Sequence, residues 1–417
     1  MGSANRIIEL ASLITRQTMV INNFFENNKL PPPSLELDSL QSPHIPDGAT
    51  DIQAARDSVI AACSELKALL TGPQQLLKFD WTAYVSVKAI LRFQLDQSFP
   101  VGSTTSFGAL SKFSGLETKS VRRIIRHAII NHRFFKEDTP GVISHSALTA
   151  VLAQDEAARN ALVVELDEFW PAGVRMADAM EKWPNSEENN ETGFSLANNS
   201  SKGMYDIFAD NPDRGERFGR YFSKPEPVAA PDEILDHYPW SGKVTMVDVG
   251  GSHGAVAIGI AKRFPNIKCT VQDLPETAAE GASRLPADLR DRVTFMAHDF
   301  FTPQPVSADV YYFRSIFHNW ADKYCIKILQ NLVPALKLGA RIIIHERILP
   351  GLENLTTADT MRAINLDVGM QQLLNAQQRE LHEWPELFRR ADSRFRFLGA
   401  HHPHGAIRWI IEAEWQG

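Results

Sequence analysis

Between residues 244 and 348, five short apolar runs alternate with segments of helical periodicity: VTMVDVG, IKCTVQD, VTFMAHD, ADVYYFRSI and RIIIHERI. None of them alternates polar and apolar side chains, so each suits a strand buried on both faces. Strands of that kind, separated by helices, make a parallel sheet flanked by helices, an α/β architecture.

The chain before residue 230 has a different pattern. Ile7, Leu10, Ile14, Val20 and Phe24 recur at helical spacing, and the proline-rich stretch LPPPSLELDSLQSPHIPDG after them cannot propagate a helix. Asp51–Leu70 is a second expected helix, with Ile52, Ala55, Val59, Cys63, Leu66 and Leu70 on one stripe. TSFGALSKFSGL and ETKSVRRIIRHAIINHRFF then read as helix, turn and helix, followed by a hairpin in KEDTPGVISHSAL. This is the pattern of a winged helix, with Val121, Ile124, Ile125, Ala128 and Ile129 inward and Arg122, Arg123 and Arg126 outward. The tract 182–203 reads as an exposed polar loop, and the proline-bearing connector before residue 230 sets the expected boundary between domains 1–230 and 231–417.

Composition narrows the function classes. The 417 residues carry 43 Lys and Arg against 50 Asp and Glu, a net charge of −7, which argues against nucleic acid as a partner. No run approaches the length of a membrane span, and Cys63, Cys269 and Cys325 form neither a CxxC pair nor an even set, so a reduced, cytoplasmic chain is expected. His401, His402 and His404 cluster without acidic or cysteine company, and no metal is expected.

The first strand runs through Asp248-Val249-Gly250-Gly251-Ser252-His253-Gly254 into the apolar helix AVAIGIAKRF. Glycines permit a tight turn and close approach of a ligand to the backbone, and a helix N-terminus offers unpaired N–H groups. Asp273 lies 19 residues past Gly254 at the end of the second strand, where a carboxylate meets ribose hydroxyls in dinucleotide-type folds. Asp299-Phe300 closes the third, a carboxylate and an apolar ring suited to adenine. Three successive acidic strand tips favour an adenosine site, and the acidic Asp248 loop suits a ligand with a positive group such as a sulfonium.

The succession VDVGGSHG, VQDLPE, AHDFF and FRSIFHNWADKYCIKILQNLVPALKLGARIIIHE resembles the S-adenosylmethionine-dependent O-methyltransferases of plant and fungal secondary metabolism. The likeness covers most of residues 75–417 and is most specific over 244–350. It implies a Rossmann-like C-terminal domain with a mostly parallel seven-stranded sheet and a mainly α-helical, winged-helix N-terminal dimerisation domain. It implies that Asp248, Gly250, Gly251, Gly254, Asp273, Leu274, Asp299, Phe300 and Arg314 hold S-adenosylmethionine, that His318 is the general base and that Glu346 orients it. A small-molecule acceptor would meet Asn319, Trp320 and Met370, and the chain would pair with a second copy of itself.

The chemistry agrees with that likeness. Methyl transfer to a phenol or enol needs proximity and removal of a proton from an acceptor of pKa about 10, and a near-neutral histidine can take it. Two departures stand out: His318-Asn319-Trp320 replaces the usual His-Asp-Trp, and Gln378 stands where a second orienting glutamate is usual. An amide cannot stabilise an imidazolium by charge, so His318 is expected to be a weaker base than usual. The alternative is a pericyclase or dehydratase of polyketide biosynthesis that keeps the cofactor without transferring its methyl.

Overall fold

In the N-terminal region the two long helices Ser3–Asn27 and Thr50–Thr71 form, and they pack on each other. Their buried seam is narrower than the periodicity suggests: Leu10 and Phe25 on the first helix and Ile52, Ala55 and Ala62 on the second are buried, whereas Val20, Cys63 and Leu70 are exposed. A helix pair buries one stripe each, so apolar residues off that stripe are left uncovered. The structure, a computed structural model, describes residues 3–37, 45–46, 48–222, 230–240, 244–351, 358–403 and 406–417. Parts of both expected proline-rich linkers, and His404, lie outside the described residues.

The chain forms two compact units, Met1–Glu168 with Thr356–Ala358, and Phe169–Leu355 with Asp359–Gly417. In the first, helices Phe107–Ser114 and Thr118–His132 are joined through Gly115, whose φ of 74° suits a residue without Cβ. Val121, Ile125 and Ala128 are buried while Arg122, Arg123 and Arg126 face outward. Strands β1 (Thr104–Ser106), β2 (Lys136–Thr139) and β3 (Val142–Ser144) form an antiparallel sheet in the order β1-β3-β2.

The second unit begins with helices between 169 and 222. Here the polar tract differs from expectation: Thr192, Phe194 and Ser195 are wholly buried, and a helix forms over Gly193–Ala197. Gly193 packs so closely on helix Trp170–Lys182 that a Cβ there would lie 2.3 Å from the Ala172 carbonyl oxygen. Thr192 caps the helix through the Ser195 N–H, so the polar residues serve its end.

The sheet has seven strands: β4 (Thr245–Val249), β5 (Lys268–Asp273), β6 (Val293–Ala297), β7 (Val310–Arg314), β8 (Arg341–Glu346), β9 (Phe395–His401) and β10 (Trp409–Trp415). Their order is β6-β5-β4-β7-β8-β10-β9, with β6 to β8 parallel and β10 antiparallel to both neighbours. Successive residues point to opposite faces and both faces are covered. Val247, Val249, Tyr311, Phe313, Ile342 and Ile344 enter one apolar cluster, and Met246, Tyr312 and Ile343 the other. Burying each such side chain is worth about 1.5–3 kcal/mol. The order reverses between β4 and β7, which places a crevice at the carboxyl ends of those strands.

Candidate active site

The crevice at the switch point has two sides. On the β4 side, Asp248 is 2% exposed beneath the glycine turn. Burial pushes its carboxyl up to about 7, against the opposing pull of the Arg314 charge and the Ala257 N–H. A Cβ on Gly251 would lie 2.6 Å from Asp248 Cγ, so this position requires glycine if the acid is to stay beneath it. Gly254 opens helix Ala255–Arg263 with φ 75°, and a Cβ there would meet Phe295 at 2.8 Å. Gly250, at φ 69°, faces Ile316 and Phe300. The Gly250 and Gly251 N–H groups both donate to the Gln272 carbonyl, fixing the turn against β5.

Asp273, the last residue of β5, accepts N–H bonds of 2.8 Å from Ser252 and Leu274, and so ties the glycine turn to the next strand tip. Leu274 is exposed beside it. Asp299 lies two residues beyond the end of β6, a small difference from the expected strand end, and accepts from the Phe301 N–H. Phe300 and Trp320 meet edge to face at 6.0 Å, and Phe301 lies 4.7 Å from Trp320. An adenosine bearing a cationic sulfur fits this donor set: a turn whose glycines pack closely on Asp248 and Ile316 and carry no side chain, acids at the ends of three strands, and the Phe300 ring.

On the β7 side, Arg314 ends the strand and Ser315 takes a left-handed φ of 53° before the 3₁₀ turn Phe317–Asn319. His318 sits on that turn. Its Nδ1 lies 2.9 Å from Gln378 Nε2, so the residue that replaces the second glutamate does reach the imidazole. Gln378 Oε1 is buried without a hydrogen-bond partner among the described residues. Burial pushes the His318 pKa down, the Glu346 charge pulls it up, and Arg408 reinforces the burial. Glu346 is 1% exposed, and its Oε1 accepts the Phe317 N–H at 2.8 Å, so it holds the backbone of the turn.

Asn319 Nδ2 donates back to the Ser315 carbonyl at 3.2 Å. Met370 is 7% exposed inside an apolar cluster with Phe194, Phe208 and Leu373. A polar cleft of about 270 Å³ beside the turn is lined by Asp322, Asp367, Asn375, Gln377 and Glu187, among others. His402 stacks on Trp409, and among the described residues no group of His, Cys, Asp and Glu could hold a metal ion. No helix among them is long and apolar enough to cross a membrane.

Two buried groups escaped sequence reasoning. Arg379 is 2% exposed and bonds the carbonyls of Phe317 and Trp320, each at 3.0 Å. Behind the site, the Tyr312 hydroxyl lies 2.7 Å from His345 Nδ1, His345 Nε2 faces Glu233 at 3.5 Å, and Arg408 joins Glu233 to Ser315. An arginine within NAQQRELH and a histidine within RIIIHE carry no periodic signal.

Residues 180–394 match the O-methyltransferase domain family. The chain is 36% identical over 426 residues to the O-methyltransferase AMT9 of Alternaria alternata, covering 100% of this chain and 99% of that one. It is 34% identical over 436 residues to the chlorophenol O-methyltransferase of Trichoderma longibrachiatum, covering 99% and 91%. The crystal structure of OxaC shares the fold, with a TM-score of 0.77 at 20% identity over 99% of this chain and 100% of that one. Full-length relatedness of this degree, together with the glycine turn and acidic strand tips, makes the chain a member of the S-adenosylmethionine-dependent O-methyltransferases.

Proposed function

We propose that this enzyme methylates a phenolic or enolic hydroxyl of a small secondary metabolite, with His318 as the general base. The observation that carries this reading is the contact between His318 Nδ1 and the Gln378 amide, which holds the imidazole on a turn at the end of β7. S-adenosylmethionine supplies a methyl group on a cationic sulfur. Asp248, Gly250, Gly251, Gly254, Asp273, Leu274, Asp299, Phe300 and Arg314 are the residues assigned to hold it. To act as base, His318 presents the Nε2 lone pair, so its own proton resides on Nδ1. Turning the Gln378 amide over places the partnerless Oε1 on that N–H, satisfying the buried oxygen and fixing the tautomer together. Phe300, Phe301 and Trp320 supply apolar surface beside the turn, in keeping with an aromatic acceptor. The chlorophenol specificity in the name of one relative supports a phenol as the first acceptor to try.

The amide at 378 also leaves a second reading, in which the bound cofactor takes part in a pericyclic or dehydration reaction without losing its methyl. Methyl-labelled cofactor with a chlorinated phenol separates the two. Methylation gives a labelled product and S-adenosylhomocysteine in equal amounts, whereas the second reading gives neither. His318→Ala is expected to lower turnover by about 10²–10⁴-fold with cofactor binding intact, and unchanged methyl incorporation would exclude the base assignment.

A homodimer formed through the N-terminal region, with the helix–turn–helix and hairpin acting as a winged helix, is part of the same proposal. Leu70, Leu77, Phe79 and Trp81 are 69, 74, 82 and 87% exposed, an apolar surface suited to a second copy. A monomer mass by sedimentation at micromolar concentration would overturn it.

A further inference from the structure

The turn that carries His318 makes few bonds of its own. Asn319 N–H donates to Ile316 and Trp320 N–H to Phe317, at 3.1 and 3.2 Å. A three-residue 3₁₀ turn of this kind is easily displaced unless other groups hold its remaining carbonyls. Two side chains do so: the Cys325 thiol, a weak donor, reaches the Phe317 and Trp320 carbonyls at 3.4 and 3.3 Å, and Arg379 reaches the same two more strongly. Arg379 Nη1 donates to the Phe317 carbonyl and Nη2 to the Trp320 carbonyl, so a single guanidinium grips the backbone on both sides of His318-Asn319. Its Nε and Nη2 also bond Asp322 Oδ1 at 3.1 and 2.9 Å. The backbone of Arg379 is held in turn, since its carbonyl accepts the Leu349 N–H.

Phe317, the residue before His318, thus has its N–H on the buried Glu346 and its carbonyl on the buried Arg379. Gln378 meets the imidazole, and the next residue meets the backbone that carries it. From these contacts we propose that Arg379 is a positioning residue of the methyl transfer: it fixes the His318 turn and acts on the reaction only through His318. The proposal rests on the reading of His318 as the base. The planar fork of arginine reaches three oxygen acceptors and the Cys325 sulfur in fixed directions, which the point charge of lysine cannot reproduce.

Arg379→Lys keeps the charge and removes the fork. Asp322 keeps its ion pair with Arg390 in that variant, so no buried carboxylate is orphaned. The test uses the full chain with methyl-labelled cofactor and a chlorinated phenol, in the wild-type and His318→Ala backgrounds. Expected is a loss of about 100-fold in kcat with histidine present, an unchanged KM for the cofactor, and no further loss once His318 is alanine. Equal losses in both backgrounds would show a general structural role and overturn the proposal. Loss of the base reading itself shows separately, as undiminished turnover of His318→Ala alone.

A second readout needs no acceptor. In the folded protein, with ¹³C-labelled histidine, His318 of the Arg379→Lys variant is expected to titrate about half a unit higher than in the wild type, as a loosened turn admits water. An unchanged titration would overturn the proposal, because the imidazole would then not have moved. If Arg379→Lys does not fold, Arg379→Gln serves for the turnover comparison, with cofactor calorimetry as the check on folding.

Discussion

The two sides of the crevice are built from different materials. On the β4–β6 side, the acids at the strand tips meet main chain: Asp273 accepts from Ser252 and Leu274, and Asp299 from Phe301. On the β7–β8 side, the parts are side chains that hold one turn: Glu346 and Arg379 on its backbone and Gln378 on its imidazole. The first kind of construction tolerates little change in backbone shape and is suited to a fixed ligand. The second lets the strength of a base be tuned by replacing one side chain, and here an amide has replaced a carboxylate. Damage on the β4 side should therefore appear in cofactor affinity, and damage on the β7 side in turnover.

The sharpest way to break that division is Gly251→Ala. Its Cβ would lie 2.6 to 2.9 Å from the Asp248 carboxyl atoms, so the turn or the acid must shift. Overpacking of this sort costs about 1–3 kcal/mol. Cofactor affinity by calorimetry is expected to fall roughly ten- to hundredfold, with turnover at saturating cofactor close to wild type. A fall in saturated turnover without loss of affinity would erase the distinction between the two sides.

Gln378→Glu sharpens the other side. Burial, assisted by Arg408, holds the His318 pKa below its ordinary value against the upward pull of the Glu346 carboxylate. A carboxylate at 378 favours the imidazolium, and an opposite charge at this range raises the pKa by about one unit or more. If His318 is the base, it must be neutral to take a proton, so the acid limb of the kcat profile should move to higher pH by that amount. Above the limb, turnover should rise as the base strengthens. A profile that does not move would mean that residue 378 does not set the basicity of His318.

A smaller effect distinguishes the charge of the ligand from its shape. With its pKa pushed up to about 7 by burial, Asp248 gains ionisation as pH rises from 6 to 8. S-adenosylmethionine carries a cationic sulfur and its demethylated product does not, although the two are otherwise alike. Affinity for the cofactor should strengthen by up to about tenfold over that window, while affinity for the product stays flatter. Parallel pH dependences would remove Asp248 as the partner of the positive charge.

The two sides also differed in how far they could be read from sequence. VTMVDVG followed by glycines, and acids closing IKCTVQD and VTFMAHD, are local signals, because strand, turn and helix are contiguous there. The five parallel strands β4 to β8 followed from such runs, whereas the antiparallel β9 and β10 were expected only from the family resemblance. The β7 side is assembled from residues 318, 346 and 378–379, which only tertiary structure brings together. His318, Glu346 and Gln378 could be singled out because they align with family motifs that carry a chemical role, whereas Arg379, which falls on the arginine of the Gly-x-Glu-Arg-Thr pattern, had no role until its contacts with the turn were seen. The tract 182–203 misled for a related reason: Thr192 and Ser195 are buried because they cap a helix, which composition does not record.

The smallest expected effect tests whether the buried network behind both sides behaves as a neutral scaffold. Burial, with the charges of Arg408 and Arg314, pushes the His345 pKa down to about 3. Nε2 faces the Glu233 carboxylate, which would repel a lone pair, so the neutral ring carries its hydrogen there and Nδ1 accepts from the hydroxyl of Tyr312, whose pKa burial raises. In the unfolded chain a histidine titrates near 6.5. Between those values the unfolded state binds the extra proton, so the stability held by neutral His345 is complete above about 6.5 and is lost as pH falls toward 3. The slope for one proton is at most about 1.4 kcal/mol per pH unit, or roughly 2–4 °C of Tm for a domain of this size. Asp248 works in the opposite direction over part of this range, because its raised pKa favours the folded state at lower pH, so the slope must be read as a difference between variants. His345→Asn should flatten the acid-side fall of Tm relative to wild type. Equal slopes would mean that His345 accepts a proton in place, and the network beneath the crevice would then be charged in acid.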